Sequence, residues 1–251
     1  MRTLIPVILL LSLSGAALAQ DPEQVFESAN ALYQEGRYEE ARDQYESIVA
    51  NGDESAALYL NLGNTYVRLG HMGKAILSYE RGLRLRPDDE DLLYNLGLTG
   101  LMTVDKIETV PRLFLWDIWD GMKGWFSPAG ILWTAWGAYV FVFMALAAIV
   151  LAGSFTLRRT AFLSAIGGTV VFLLLLLIGI GRYSDLTRTD FAIIMTEIVA
   201  VKNSPDARDT DAFILHRGTK VQITDNIGEW VKVRLADGKV GWLVAESVEA
   251  I

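Results

Sequence analysis

The sequence predicts a multidomain membrane protein made of an all-α solenoid of repeats, a transmembrane α-hairpin and a small all-β barrel. Three observations support this fold class: a 34-residue internal repeat, two long apolar runs without charge, and a C-terminal alternation of apolar and polar residues. Apolar residues make up 52% of the chain but are bunched, so each segment has to be read separately.

The first twenty residues have the order of a secretory signal peptide. Arg2 precedes an apolar run from Ile5 to Leu13, and an A-x-A cleavage site ends at Ala19. We expect a signal peptide over residues 1–19, with an uncleaved anchor helix as the alternative. Either reading carries residue 20 onward out of the cytoplasm.

Composition excludes several classes of site and partner. The chain has no cysteine, which rules out disulfides, thiolate metal sites and a cysteine nucleophile. Residues 20–105 hold sixteen Asp and Glu against seven Lys and Arg, a balance that repels nucleic-acid phosphate. No nucleic-acid partner is therefore expected.

The region 22–105 repeats with a period of 34 residues. Five positions of the first unit recur in the second, as the pairs Asn30/Asn64, Gly36/Gly70, Ala41/Ala75, Tyr45/Tyr79 and Glu46/Glu80. The second unit ends at Pro87, which stops its second helix. This pattern resembles the tetratricopeptide repeat (TPR), with two full units and a third first-helix that we expect to cap the stack.

The resemblance to TPR folds implies a concave groove lined by the first helix of each unit. Asparagine amides in such a groove can both donate to and accept from the backbone of an extended peptide. An ordinary packing or solvated role is the alternative for several of these side chains. The candidate protein-binding residues are Phe26, Asn30, Tyr33, Asn61, Asn64, Arg68 and Asn95.

A membrane segment follows the repeats. Tryptophan-rich residues 112–127 have the pattern of an amphipathic helix at the lipid interface, and a helix packed under the repeats is the alternative. Residues 130–152 and 161–181 carry no charge and are long enough to cross roughly 30 Å of hydrocarbon. They predict two transmembrane helices.

The predicted turn between the two spans, residues 153–160, fixes their direction. Its only charges are Arg158 and Arg159, which the positive-inside rule places in the cytoplasm. Both flanking modules then face the periplasm from a bacterial inner membrane, as the signal peptide also requires.

Residues 190–251 alternate in short strands and predict a small barrel. The stretches V-K-N-S-P from Val201, H-R-G-T-K-V from His216, W-V-K-V from Trp230 and G-K-V-G-W ending at Trp242 resemble the bacterial SH3 family. That resemblance implies binding of a protein or a cell-wall peptide in some members. The candidate surface is Ser204, Pro205, Trp230 and Trp242, although large aromatics in a small barrel are more often core.

The order of all these segments is similar to the BatE family of the bacterial aerotolerance (Bat) operon. The resemblance implies membrane proteins with von Willebrand A domains and a MoxR-type ATPase as companions. We expect a non-catalytic scaffold without cofactor or metal, because no phosphate loop, nucleophile elbow or metal-spaced cluster occurs in the sequence. The alternative is an envelope sensor that binds peptidoglycan through the barrel.

Overall fold

The computed structural model describes residues 21–108, 113–125, 127–187 and 190–251, so the predicted signal peptide lies outside the described residues. The described residues form two compact units, 21–99 and 100–251.

The first unit is a stack of antiparallel helices. In chain order these are α1 (Pro22–Gln34), α2 (Tyr38–Ala50), α3 (Ala56–Arg68), α4 (Met72–Leu85) and α5 (Glu90–Leu101, whose last two residues belong to the second unit). Gly36 and Gly70 occupy equivalent turns with positive φ, which glycine adopts without steric cost. The 34-residue period thus corresponds to one helix pair.

Small residues allow the helices of a pair to approach closely. A Cβ on Gly63 of α3 would lie 2.3 Å from Cε1 of Tyr79 on α4, so the ring occupies the space that glycine leaves. Leu92 of α5 lies in the same way against Gly82 of α4. Tyr79 and Leu92 are almost fully buried and belong to the core.

Helix α5 is the first helix of a third unit and has only one buried face. Leu92 and Thr99 are buried, whereas Leu93, Tyr94 and Leu98 are exposed. The helix therefore covers repeat two, as a cap would, but presents an apolar surface of its own.

The membrane hairpin consists of α7 (Pro128–Leu151) and α8 (Phe155–Thr187). At about 1.5 Å per residue, the 24-residue α7 is about 36 Å long, enough to cross the hydrocarbon. Only 11% of the most apolar stretch of α7 and 17% of that of α8 is buried, whereas the core helix of a soluble domain is mostly buried. Among the described residues, these are the two candidate membrane spans.

The connection between these helices is shorter than the predicted turn 153–160. It comprises only residues 152–154, and Arg158 and Arg159 lie within the first turns of α8. The Ser154 hydroxyl accepts a hydrogen bond from the Leu157 amide, which caps the helix there. No residue from 155 to 160 is a proline or glycine, so nothing delays the start of the helix.

A short helix, α6 (Phe114–Gly124), precedes the hairpin and contacts α8. Trp119 and Lys123 lie against Gly181, whose missing side chain makes room for them. Lys123 is 8% exposed and pairs with Asp120 at 2.8 Å, whereas Trp116 and Trp125 are exposed. Lys123 therefore belongs to the buried face of α6, together with Trp119.

The C-terminal module is a seven-stranded sheet, antiparallel at every pairing, with strand order β3-β2-β6-β5-β4-β1-β7. A short 3₁₀ turn, Ala245–Ser247, precedes the last strand. The strands are β1 (Phe191–Ile194), β2 (Ile198–Lys202), β3 (Asp211–His216), β4 (Lys220–Ile227), β5 (Trp230–Arg234), β6 (Val240–Val244) and β7 (Val248–Ala250). Alternate residues such as Val231, Val233 and Leu243 form its core.

Candidate interaction surfaces

Asn30 joins three helices at the predicted groove. Its Oδ1 accepts a hydrogen bond from the hydroxyl of Tyr45 on α2 at 2.6 Å and from Nδ2 of Asn61 on α3 at 2.8 Å. Its carbonyl oxygen has two acceptor sites, and both are used. Asn30 is therefore a structural connector between the helices.

Asn64 repeats this arrangement one unit later, where its Oδ1 accepts from the hydroxyl of Tyr79 at 2.8 Å. Burial raises the pKa of both Tyr45 and Tyr79 to about 12. The two hydroxyls therefore remain protonated donors at neutral pH.

The aromatic residues of the predicted groove also take part in packing. Phe26 and Tyr33 lie against the helical core, and the ring of Phe26 is 5.9 Å from that of Tyr45. Arg68 is exposed, with its Nε 3.5 Å from the Tyr33 hydroxyl. Asn95, on α5, is half-buried. Among the seven candidates, Arg68 is the exposed charged group.

Trp230 and Trp242 share one face of the C-terminal sheet. In the β5–β6 register, Trp230 pairs with Val244 and Lys232 pairs with Trp242, so these side chains lie opposite the Val231 and Leu243 core positions. Trp242 is nonetheless only 8% exposed, and Nζ of Lys232 lies 5.6 Å from its ring centre. The structure thus places both tryptophans on the face opposite the core cluster.

Ser204 and Pro205 belong to a braced loop between β2 and β3. Lys202 holds the loop base through Nζ, which donates to the Asp209 carbonyl at 2.9 Å and pairs with Asp211 at 2.6 Å. Both Ser204 and Pro205 are half-buried. Lys202 is also the register partner of Trp242, which brings the loop base and the tryptophan face together.

His216 and Thr219 of the sheet module form a polar pocket that holds Asp105, from the segment that follows α5. Asp105 Oδ2 accepts from the His216 amide at 2.7 Å and from the Thr219 hydroxyl at 2.6 Å. Its Oδ1 lies 2.7 Å from Nδ1 of His216. Two residues further on, Ile107 packs against the apolar core of the sheet.

The hydrogen bonds determine the ionisation of Asp105. Burial acts to raise the pKa of its carboxyl, but the bonds from Thr219 and from His216 together outweigh burial and lower the pKa. The carboxylate therefore stays charged at neutral pH. Sequence reasoning missed this contact because Asp105 lies 111 residues from His216 and in no recognisable motif.

Comparison with known proteins identifies the helical region. The tetratricopeptide repeat family matches residues 26–90. The chain is also 29% identical over 104 residues to the rhomboid protease GluP of Bacillus subtilis (strain 168), a match covering 39% of this chain and 20% of that protein. This chain therefore spans about a fifth of the length of that relative.

The fold and this match define a TPR-like helical region, two candidate membrane helices and a C-terminal antiparallel sheet on one chain. TPR regions bind protein partners, so the match suggests a role in protein–protein interaction for the helical region. In the part of the chain that the structure describes, no group of three or more His, Cys, Asp or Glu side chains could hold a metal ion.

Proposed function

We propose that this protein is a non-catalytic scaffold of the bacterial envelope, anchored by its helical hairpin, with a TPR module and an SH3-like module that bind protein partners. The observation that carries the proposal is the TPR match over residues 26–90 on a chain with two apolar, largely unburied helices. The protease activity named for the relative belongs to a protein of which this chain spans only a fifth.

The distribution of basic residues supports a direction for the hairpin. Arg158 and Arg159 lie beside the 152–154 connection. The opposite end carries the exposed aromatic side chains Trp116, Trp125, Trp133, Trp136 and Tyr183. Aromatic residues favour both membrane interfaces and do not decide the direction, whereas basic residues favour the cytoplasmic side. We therefore place the connection inside and both modules in the periplasm.

The sheet module supports the SH3-like assignment through its short antiparallel strands and tight turns. Gly218, Gly228 and Gly238 each have positive φ in turns between strands. On the sequence resemblance alone, we propose a partner set of the Bat type: membrane proteins with von Willebrand A domains and a MoxR-type ATPase system.

Recovery of partners from solubilised membranes tests the scaffold. We expect the full chain to capture membrane or periplasmic proteins that a chain lacking residues 22–105 does not. Arg68→Glu, on the first-helix face, should weaken capture, whereas Arg84→Glu, on the second helix α4, should preserve it. Equal recovery by the full and shortened chains would contradict a binding role for the repeats.

Asn30 and Asn64 are unsuitable for this test, because each holds a buried tyrosine hydroxyl. A loss of binding in those variants would report a change in folding.

A further inference from the structure

The contact between Asp105 and the sheet module has the features of a ligand site. One carboxylate receives a backbone amide, a hydroxyl and an imidazole nitrogen, at 2.6 to 2.7 Å. Side-chain exposure is only 15% for Asp105 and 29% for His216, so water screens the charge weakly. Bonds of this kind to a charged group are stronger than neutral ones.

The backbone of the turn that carries the donors is held in place without help from Asp105. The His216–Thr219 turn is fixed to β1 by two hydrogen bonds, from the Gly218 amide to the Ile194 carbonyl at 2.8 Å and from the Ile194 amide to the Thr219 carbonyl at 3.0 Å. The pocket therefore belongs to the sheet module and is preorganised for an acceptor.

The occupant supplies two recognition elements with a fixed spacing. Asp105 fills the polar part of the pocket, and Ile107 packs against the sheet core. Lys106, between them, turns away and donates from Nζ to the carbonyls of Gly100 and Leu101. In an extended segment every second side chain faces the same surface, which is the arrangement of Asp105 and Ile107 here.

We propose that the pocket formed by His216 and Thr219 is a recognition site for an acidic residue followed two positions later by an aliphatic residue, and that the chain's own segment 103–108 is its resting occupant. The inference rests on the proposed function only in treating the sheet module as a binding module. A partner segment of the same chemistry would have to displace the resident one. Because the resident segment belongs to the same chain, it competes for the site without a separate encounter from solution.

A labelled peptide with the sequence of residues 103–108, Thr-Val-Asp-Lys-Ile-Glu, tests the site on the full-length protein in detergent. We expect the Asp105→Ala, Ile107→Ala double variant to bind the peptide at least about tenfold more tightly than the unaltered chain. Binding should be lost when Thr219→Val is added or when asparagine replaces the peptide aspartate. The chain with Glu108→Ala, an exposed acidic residue of the same segment, should behave like the unaltered protein.

Hydrogen exchange at the His216 amide gives a second readout that needs no added peptide. Asp105→Asn keeps the size of the side chain but removes its charge, and we expect it to speed exchange of that amide by about tenfold. Unchanged exchange would overturn the proposal. The proposal would also be overturned if the Asp105→Ala, Ile107→Ala variant bound the peptide no better than the unaltered chain, or if Thr219→Val left the binding unchanged. These outcomes leave partner capture by the repeats unaffected, so the two proposals fail separately.

Discussion

Asn30 and Asn64 each precede by fifteen residues the buried tyrosine whose hydroxyl they accept. The repeat places this pair twice, between the first and second helix of each unit. A buried hydroxyl without an acceptor costs free energy, whereas removal of both partners costs less. The presence of asparagine at both positions is therefore explained by its structural role in the fold, without a bound ligand.

Loss of one partner should cost more than loss of both. We expect Asn64→Ala to lower the free energy of unfolding by about 1–3 kcal/mol, because it removes the amide oxygen that accepts from the buried Tyr79 hydroxyl. In the Tyr79→Phe background the same change should cost clearly less. Exchange protection of the α3 and α4 amides measures both values, and equal costs in the two backgrounds would refute the pairing.

The docked segment should depend on pH through Asp105. Its folded pKa is lowered, so the stability it contributes is present above the ordinary carboxyl pKa of about 4 and is lost as the pH falls through the lower folded value. We expect protection of the His216 amide, corrected for intrinsic exchange, to decline as the pH falls below about 5 and Asp105 becomes protonated. Asp105→Asn should abolish this decline. If the decline persists in that variant, a group other than Asp105 causes the loss of protection.

At the scale of the elements, equivalent glycines of successive repeats have unequal roles. Gly63 faces the Tyr79 ring, but nothing lies within 4 Å of the site where Gly97, thirty-four residues later, would carry a Cβ. The reason is that α5 has no second helix of repeat type after it. The equivalent position of the first repeat, thirty-four residues before Gly63, is Ala29. It is fully buried, so the first repeat accommodates a methyl group where the second has glycine.

Alanine at the two glycines should therefore have opposite effects. Gly63→Ala should destabilise the helical region by about 1–3 kcal/mol, since the new methyl displaces a buried ring. Gly97→Ala should be neutral or stabilise by up to about 1 kcal/mol, because alanine is the better helix former. Thermal unfolding of each variant, together with exchange protection of the α3–α4 amides, measures the two changes in stability. A similar loss of stability at both sites would contradict this packing.

The hairpin offers the same comparison within the membrane segment. A Cβ on Gly168 would lie 2.9 Å from Cδ1 of Phe141 on α7, whereas Gly167 next to it has open space. We expect Gly168→Leu to separate α7 from α8 and Gly167→Leu to leave them packed. Energy transfer between dyes on the two helices, in lipid vesicles, measures the separation; no difference between the variants would count against the contact.

At the scale of the whole molecule, periodic features could be predicted and isolated contacts could not. The 34-residue period and the charge-free runs predict helices, because burial and membrane crossing act on many residues at once. The start of α8 was missed because Arg158 and Arg159 suggest a turn although helix formation tolerates them. The Asp105 bonds depend on partners 111 and 114 residues away in sequence, and no local pattern reports them.

The proposed scaffold is anchored by a hairpin whose connection is cytoplasmic, and the absence of cysteine allows a direct test of this orientation. Single cysteines at Asp53, between α2 and α3, at Ser154, in the connection, and at Asn226, in the sheet module, can be labelled in spheroplasts with a membrane-impermeant maleimide. We predict labelling at Asp53→Cys and Asn226→Cys in intact spheroplasts, and at Ser154→Cys only after the membrane is permeabilised. Labelling of Ser154→Cys from outside, or protection of either flanking site, would contradict the claim.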